Sequence, residues 1–179
     1  MYVSAHAGLS VMDDSEVKGS DLEFDPGLAL RASIGGWISD RMRIEPEISY
    51  QENDFDKYSL SGAGSSSMSG DFSNLSFMTN FYYDFVNKSP FTPFISAGLG
   101  FARLSANDIK IDDINDPALT DDDDSVLAYQ AGAGLAWSVN ENLFMDFTYR
   151  FYATEDADFS NYDVEVRSHN LYLGVRKAF

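Results

Sequence analysis

Eight charged residues form the most chemically capable set in the chain: Arg31, Arg43, Arg150 and Arg176 against Glu45, Glu47, Asp84 and Asp146. Each falls on the less apolar side of a segment in which apolar and polar residues alternate. A charge sealed away alone is costly, whereas arginine forks and carboxylates held together satisfy one another's protons and lone pairs. Four of each sign sharing one narrow enclosure would neutralise as a plug. Catalytic groups of the usual kinds are scarcer, since the chain has no Cys and only two His. Ser168 and His169 are adjacent, but neighbours on a strand face opposite sides and cannot act as a nucleophile and its base. No Ser lies two residues from His169, which has Arg167 and Leu171 at those positions, and His6 lies far away in the first segment. No enzyme and no cofactor is expected. The run Asp121, Asp122, Asp123, Asp124 offers carboxylate oxygens to a divalent cation. It lacks the alternating ligands and turn glycine of a calcium loop, so a solvated, repulsive segment is favoured over a metal site.

Strands must position the eight charges, because their spacing has a period of two. Eight such segments follow one another, each roughly as long as the ~10 residues a tilted membrane-spanning strand needs. In the third, Met42, Ile44, Pro46, Ile48 and Tyr50 alternate with Arg43, Glu45, Glu47, Ser49 and Gln51. In the seventh, Leu143, Met145, Phe147, Tyr149 and Phe151 oppose Phe144, Asp146, Thr148, Arg150 and Tyr152. The fifth and sixth set Ile95, Ala97, Leu99, Phe101 and Leu127, Tyr129, Leu135, Trp137 against Ser, Gly, Ala and Gln. The fourth, near Leu75 to Phe85, carries Asp84, and the last, near Asn170 to Phe179, carries Arg176. The first, near Tyr2 to Val11, and the second, near Leu28 to Ile38, are weaker, with His6 in one and Arg31 and Ser33 in the other.

Alternation alone also fits a soluble sandwich or a lipocalin-like barrel with its apolar face inside. Glycine decides against both. A soluble exterior should carry Lys, Glu and Thr, whereas the polar face here mixes Gly, Ala and Ser with a few charges of both signs, as befits a narrow lumen filled by side chains. The apolar face carries aromatics near segment ends, at Tyr50, Tyr83, Phe85, Phe91, Trp137, Tyr149 and Phe179, where lipid headgroups would lie. Pro46 fits badly, because it cannot donate to a ladder and a closed barrel has no edge, so a bulge or local break is expected there. No run approaches the ~20 apolar residues of a membrane-spanning helix, which excludes a helical membrane protein. The reading is a single domain, 1–179: an all-β, eight-stranded antiparallel up-and-down transmembrane β-barrel.

Connections after the second, fourth and sixth segments are short, at Ser39-Asp40-Arg41, Asn87-Lys88-Ser89-Pro90 and Asn140-Glu141-Asn142. The other connections are long and hold 23 of the 29 acidic residues, among them Asp13, Glu52, Asp54, Asp108, Glu155 and Asp163. With a formal net charge of -17, the chain is a poor partner for nucleic acid, and the charge is carried outward. Short turns and long loops in strict alternation place the turns and both termini in the periplasm and the acidic loops outside the cell. The Gly62 to Gly70 stretch, mostly Ser and Gly, reads as flexible. No secretory signal precedes Tyr2, so the chain is read as a mature form.

These strands resemble the small eight-stranded outer-membrane barrels of the opacity-protein, OmpX and OmpA transmembrane-domain type, including porin-like surface antigens. The resemblance covers the whole chain. It is carried by Arg43-Ile44-Glu45-Pro46-Glu47-Ile48-Ser49-Tyr50, by Pro93-Phe94-Ile95-Ser96-Ala97-Gly98-Leu99-Gly100, by Gln130-Ala131-Gly132-Ala133-Gly134, and by the last strand ending in Phe179. It implies that Leu171, Leu173, Val175 and Phe179 form the signal read by the barrel-assembly machinery, with Lys177 departing from the commoner apolar residue. With Phe179 the last residue of the sequence, the peptidoglycan-binding domain found in OmpA-type proteins is not expected, nor is cell-wall tethering. The partners implied are membrane lipid, lipopolysaccharide and an extracellular or host ligand, for a monomer in the bacterial outer membrane that acts as an adhesin-like or structural surface barrel. The alternatives are a narrow porin-like channel and, less favoured, a lipid A modifying enzyme.

Overall fold

A computed structural model describes residues 1–12, 15–17, 20–24, 26–60, 64–66, 68–111, 122–155, 157–159, 162–164 and 166–179; within 15–24, 54–72, 106–124 and 157–164 only the backbone is described. The alternating segments become eight long strands: β1 (Tyr2–Met12), β2 (Gly27–Ser39), β3 (Met42–Leu60), β4 (Met68–Asp84), β5 (Phe91–Ile111), β6 (Asp122–Ser138), β7 (Leu143–Thr154) and β8 (Arg167–Ala178). Each pairs antiparallel with its neighbour in sequence, and β1 also pairs with β8, which closes the barrel.

The register sets the bore. One circuit runs from Tyr2 opposite Gly35, then Glu45, Asn80, Gly98, Gln130, Tyr152 and Ser168, and returns to β1 at Met12, ten residues further along. With eight strands that stagger corresponds to a tilt of roughly 40° and an interior just wide enough for side chains. Eleven residues at that tilt rise about 25 Å, the height of an outer-membrane apolar band.

The break expected at Pro46 is present, without a bulge. The β2–β3 ladder pairs Ser33 with Glu47 and resumes at Gly36 with Ile44, in unchanged phase, so Ile34 and Gly35 are skipped opposite Pro46 and Glu45. On its other side Pro46 pairs normally with Thr79. The register shift in β2 comes later, between Trp37 and Ser39, beside the short turn.

The faces separate as the sequence predicts. On the outer face Leu99, Phe101 and Leu173 leave 63%, 64% and 64% of their surface exposed, which no soluble sandwich core would do. Phe85, Phe91, Trp137 and Phe179 ring the end with the short turns, and Tyr50, Phe101 and Tyr129 stand nearer the other end. Tyr149 lies in the middle of β7 rather than near its end, and its hydroxyl is hydrogen-bonded to His169 Nδ1 at 2.7 Å.

The strand lengths depart from expectation. They run from 11 to 21 residues, because β3, β4, β5 and β6 continue beyond the apolar band into what the sequence suggests are loops. Glu52, Asp54, Asp56, Asp71 and Asp108 therefore lie in strands, as do Asp122, Asp123 and Asp124, opposite Ala106, Ser105 and Leu104. Alternation fades there because both faces of a hairpin in water tolerate polar residues, while the backbone ladder needs no such pattern. Gly64–Ser66 pairs with Tyr58 to Leu60, so part of the Ser/Gly stretch is also ordered as strand, and Ser20–Phe24 adds to the far edge of the β3 extension. Asp121 and the side chains of Asp122 to Asp124 lie outside the described residues, as do residues 61–63 and 67.

Candidate functional site

Odd residues of β2 and β3 and even residues of the other strands point inward, which gathers all eight predicted charges inside the barrel. They fall into three groups. In the first, β3 places Arg43 one strand from Asp84, and the guanidinium forks onto it through Nε to Oδ2 at 2.7 Å and Nη2 to Oδ1 at 2.8 Å. Its Nη1 donates to Glu45 at 2.9 Å. The flat cation lies against the rings of Tyr82 and Phe94, 4.4 and 5.4 Å from their centroids. Glu45 also accepts from the Tyr2 hydroxyl at 2.5 Å and from Ser33 at 3.0 Å.

The second group is centred on Glu47, whose two oxygens take Arg150 at 2.6 Å and Arg31 at 3.1 Å. The Tyr82 hydroxyl accepts from both guanidiniums, at 3.2 Å from Arg31 and 3.1 Å from Arg150. Thr148 accepts from Arg31 at 3.2 Å, and the Gln130 amide links Arg150 and Glu47 to Asn80. In the third group Arg176 meets Asp146 at 3.1 Å, between the rings of Tyr2 and Phe144. His6 Nε2 lies 3.6 Å from the other Asp146 oxygen. Every carboxylate of the set touches a guanidinium, so the buried charges cancel, which is the condition under which burial is tolerable.

Glycine explains how so much fits. A Cβ on Gly35 would fall on the Tyr2 ring, and one on Gly174 on the His6 ring. Each bare position is the seat of a bulky side chain from the neighbouring strand, the cross-strand pairing that turns a gap in the wall into packing.

Tyr2, Tyr82, Gln130, Asn80 and Thr148 belong to the network but escape a search for charges. Their inward parity was the available signal, and for Tyr2 it was faint because the first segment alternates weakly. Ser168 is fully buried in the lumen while His169 is on the outer face beside Tyr149 and Phe151, so the wall separates them. Leu171, Leu173, Val175 and Phe179 all stand exposed on the exterior.

A closed antiparallel barrel with an apolar outside and an ion-paired inside defines a class, the transmembrane β-barrels of bacterial outer membranes. Residues 1–179 match the family described as outer membrane protein beta-barrel domain, and the chain belongs to it. It is similar to outer membrane protein PagN of Salmonella typhimurium, with 32% identity over 118 residues, 58% of this chain and 48% of that protein. The match thus spans about half the length of that relative. Among solved structures, neisserial surface protein A superposes with a TM-score of 0.72 at 24% identity, covering 99% of this chain and 96% of the other. OprG from Pseudomonas aeruginosa gives 0.58 at 14%, covering 99% and 96%. Ail, the attachment invasion locus protein of Yersinia pestis, solved with the heparin analogue sucrose octasulfate, gives 0.50 at 15%, covering 98% and 96%. These three likenesses are of fold. Family membership places the chain in the bacterial outer membrane.

Proposed function

We propose that this chain is a monomeric, non-enzymatic surface barrel whose lumen is plugged and whose acidic outer hairpins contact partners outside the cell. The observation that carries the plug is the Glu47 group, in which one carboxylate holds cations from β2 and β7 together inside an eight-stranded bore. A bore of that width has no room for ions beside such a cluster. Planar-bilayer recording tests it: the purified barrel is expected to be silent, and steady nanosiemens openings would favour the narrow channel instead.

The contact role rests on the extensions of β3 and β5 to Leu60 and Ile111, which carry backbone on the order of 20 Å beyond the apolar band. In this reading both termini lie in the periplasm and the hairpins reach past the lipopolysaccharide headgroups. Fold relatives include a protein named for attachment and invasion, which agrees with an adhesin-like role. Its polyanionic ligand does not transfer, because the outer segments here carry an acidic excess that repels polyanions and attracts basic surfaces. A pull-down comparing intact protein with one whose hairpins are cut back to the band tests this. Capture of a basic partner by the intact form alone, weakening as salt rises, is the expected result; equal capture by both forms would remove the hairpins from the role. The separation of Ser168 from His169 supports the absence of hydrolysis, and unchanged lipid A acylation on expression is expected.

A further inference from the structure

Among the residues whose side chains are described, the inward ones nearest the hairpin end differ in kind from those below them. Met12 of β1, Leu104 of β5, Val126 of β6 and Val166, just before β8, form one contiguous buried cluster with Ala102 and Ala128 above Met78 and Tyr152. None of its members is more than 7% exposed. Buried polar side chains complete the layer: Asn53 of β3, which donates to the Ser10 carbonyl at 3.2 Å, Asn74 of β4, opposite Leu104, and Thr154 of β7, which accepts from the Val166 N–H at 3.2 Å. Directly beneath lie uncharged polar groups: Ser76 bonded to Tyr152 at 2.8 Å and to Asn74 at 2.9 Å, and Asn170 bonded to Ser168 at 3.0 Å. The ion pairs come below these.

We propose that the lumen has two seals in series: the ion-paired network, and an apolar constriction at the outer mouth formed by Met12, Leu104, Val126 and Val166 that stays dry. The proposal rests on the reading of the barrel as a closed pore and adds how the closure is built. An ion entering this layer would lose its hydration against Met12, Leu104, Val126 and Val166 and find only the uncharged amides of Asn53 and Asn74 and the Thr154 hydroxyl in return, too little to replace a hydration shell, the condition under which constrictions gate by dewetting. The network below is the opposite sort of barrier, since its side chains offer polar partners and obstruct by occupancy and pairing. The outer seal also keeps those pairs from external salt, which would otherwise screen them.

Three barrels test the arrangement in planar bilayers, each first checked for folding by its heat-dependent gel mobility. One carries Arg31→Ser, Glu47→Ser and Arg150→Ser; the second carries Leu104→Ser and Val126→Ser; the third carries all five changes. The expected result is silence from the first two and steady conductance from the third. Conductance from the first alone would overturn the outer seal and leave the plug standing, whereas conductance from the second alone would sink the plug reading itself. Silence from the folded third barrel would overturn the series arrangement.

Cysteine labelling gives a second test that spares the network. The chain has no native Cys, and Ser76 lies two residues deeper on β4 than Asn74, which is opposite Leu104. Ser76→Cys is expected to resist a membrane-impermeant maleimide added from the outer side, and to react once Leu104→Ser and Val126→Ser are added. Reaction in the otherwise native barrel, or none in the opened one, would overturn the seal.

Discussion

Glu47 is the carboxylate on which two guanidiniums depend, and it is supplied by a strand that contributes neither of them. Glu47→Ala leaves Arg31 and Arg150 facing each other without a counter-charge. It is expected to cost about 3–5 kcal/mol, the usual penalty for breaking a buried pair from one side. Denaturant unfolding from lipid vesicles, followed by the fluorescence of Trp37 and Trp137, measures it, and an unchanged midpoint would show that the pairs do not support the lumen. Gly174→Val places a side chain where the His6 ring lies and should cost about 1–3 kcal/mol by overpacking. His6→Ala in the same chain should recover part of that loss, and failure to recover any would separate glycine from histidine. The inward charges were legible because parity alone assigns a face. Their pairing was not, because Glu47 meets partners 16 and 103 residues away in sequence, and which residues meet depends on the stagger of the closed ladder.

Among the strands, β2 and β3 show how a sheet absorbs a proline. The ladder skips Ile34 and Gly35 and resumes in phase, so inward residues stay inward on both sides of the gap. A slip of one residue would instead have turned Arg31 toward lipid. The sequence reading found the disturbance at Pro46 but missed the ends of the long strands, since alternation marks a strand only where its two faces meet different surroundings. That difference yields a depth-dependent expectation. Leu173→Arg, on the outer face of β8 at mid-wall, should cost about 2–4 kcal/mol, whereas Leu127→Arg, beside Ser125 where the apolar band gives way, should cost only about 0–1 kcal/mol. Equal penalties in vesicle unfolding would contradict the placement of the band.

At the scale of the whole barrel, the alternation of short turns with long hairpins sets the expected orientation. An epitope inserted at residues 61–63, between β3 and β4, should be reached by antibody on intact cells, while one inserted at Lys88 should be reached only after the outer membrane is opened. The reverse pattern would invert the molecule. Tyr2 ties this scale back to the smallest. It lies on β1, the strand that must find β8 for the cylinder to shut, and its ring occupies the seat at Gly35 while its hydroxyl caps Glu45. Until β1 is in place, Glu45 lacks one of its donors and Gly35, opposite it and next to the gap at the proline, leaves a hole. Sealing the seam and finishing the internal wiring are therefore a single event, and a half-zipped intermediate carries its electrical fault in plain view.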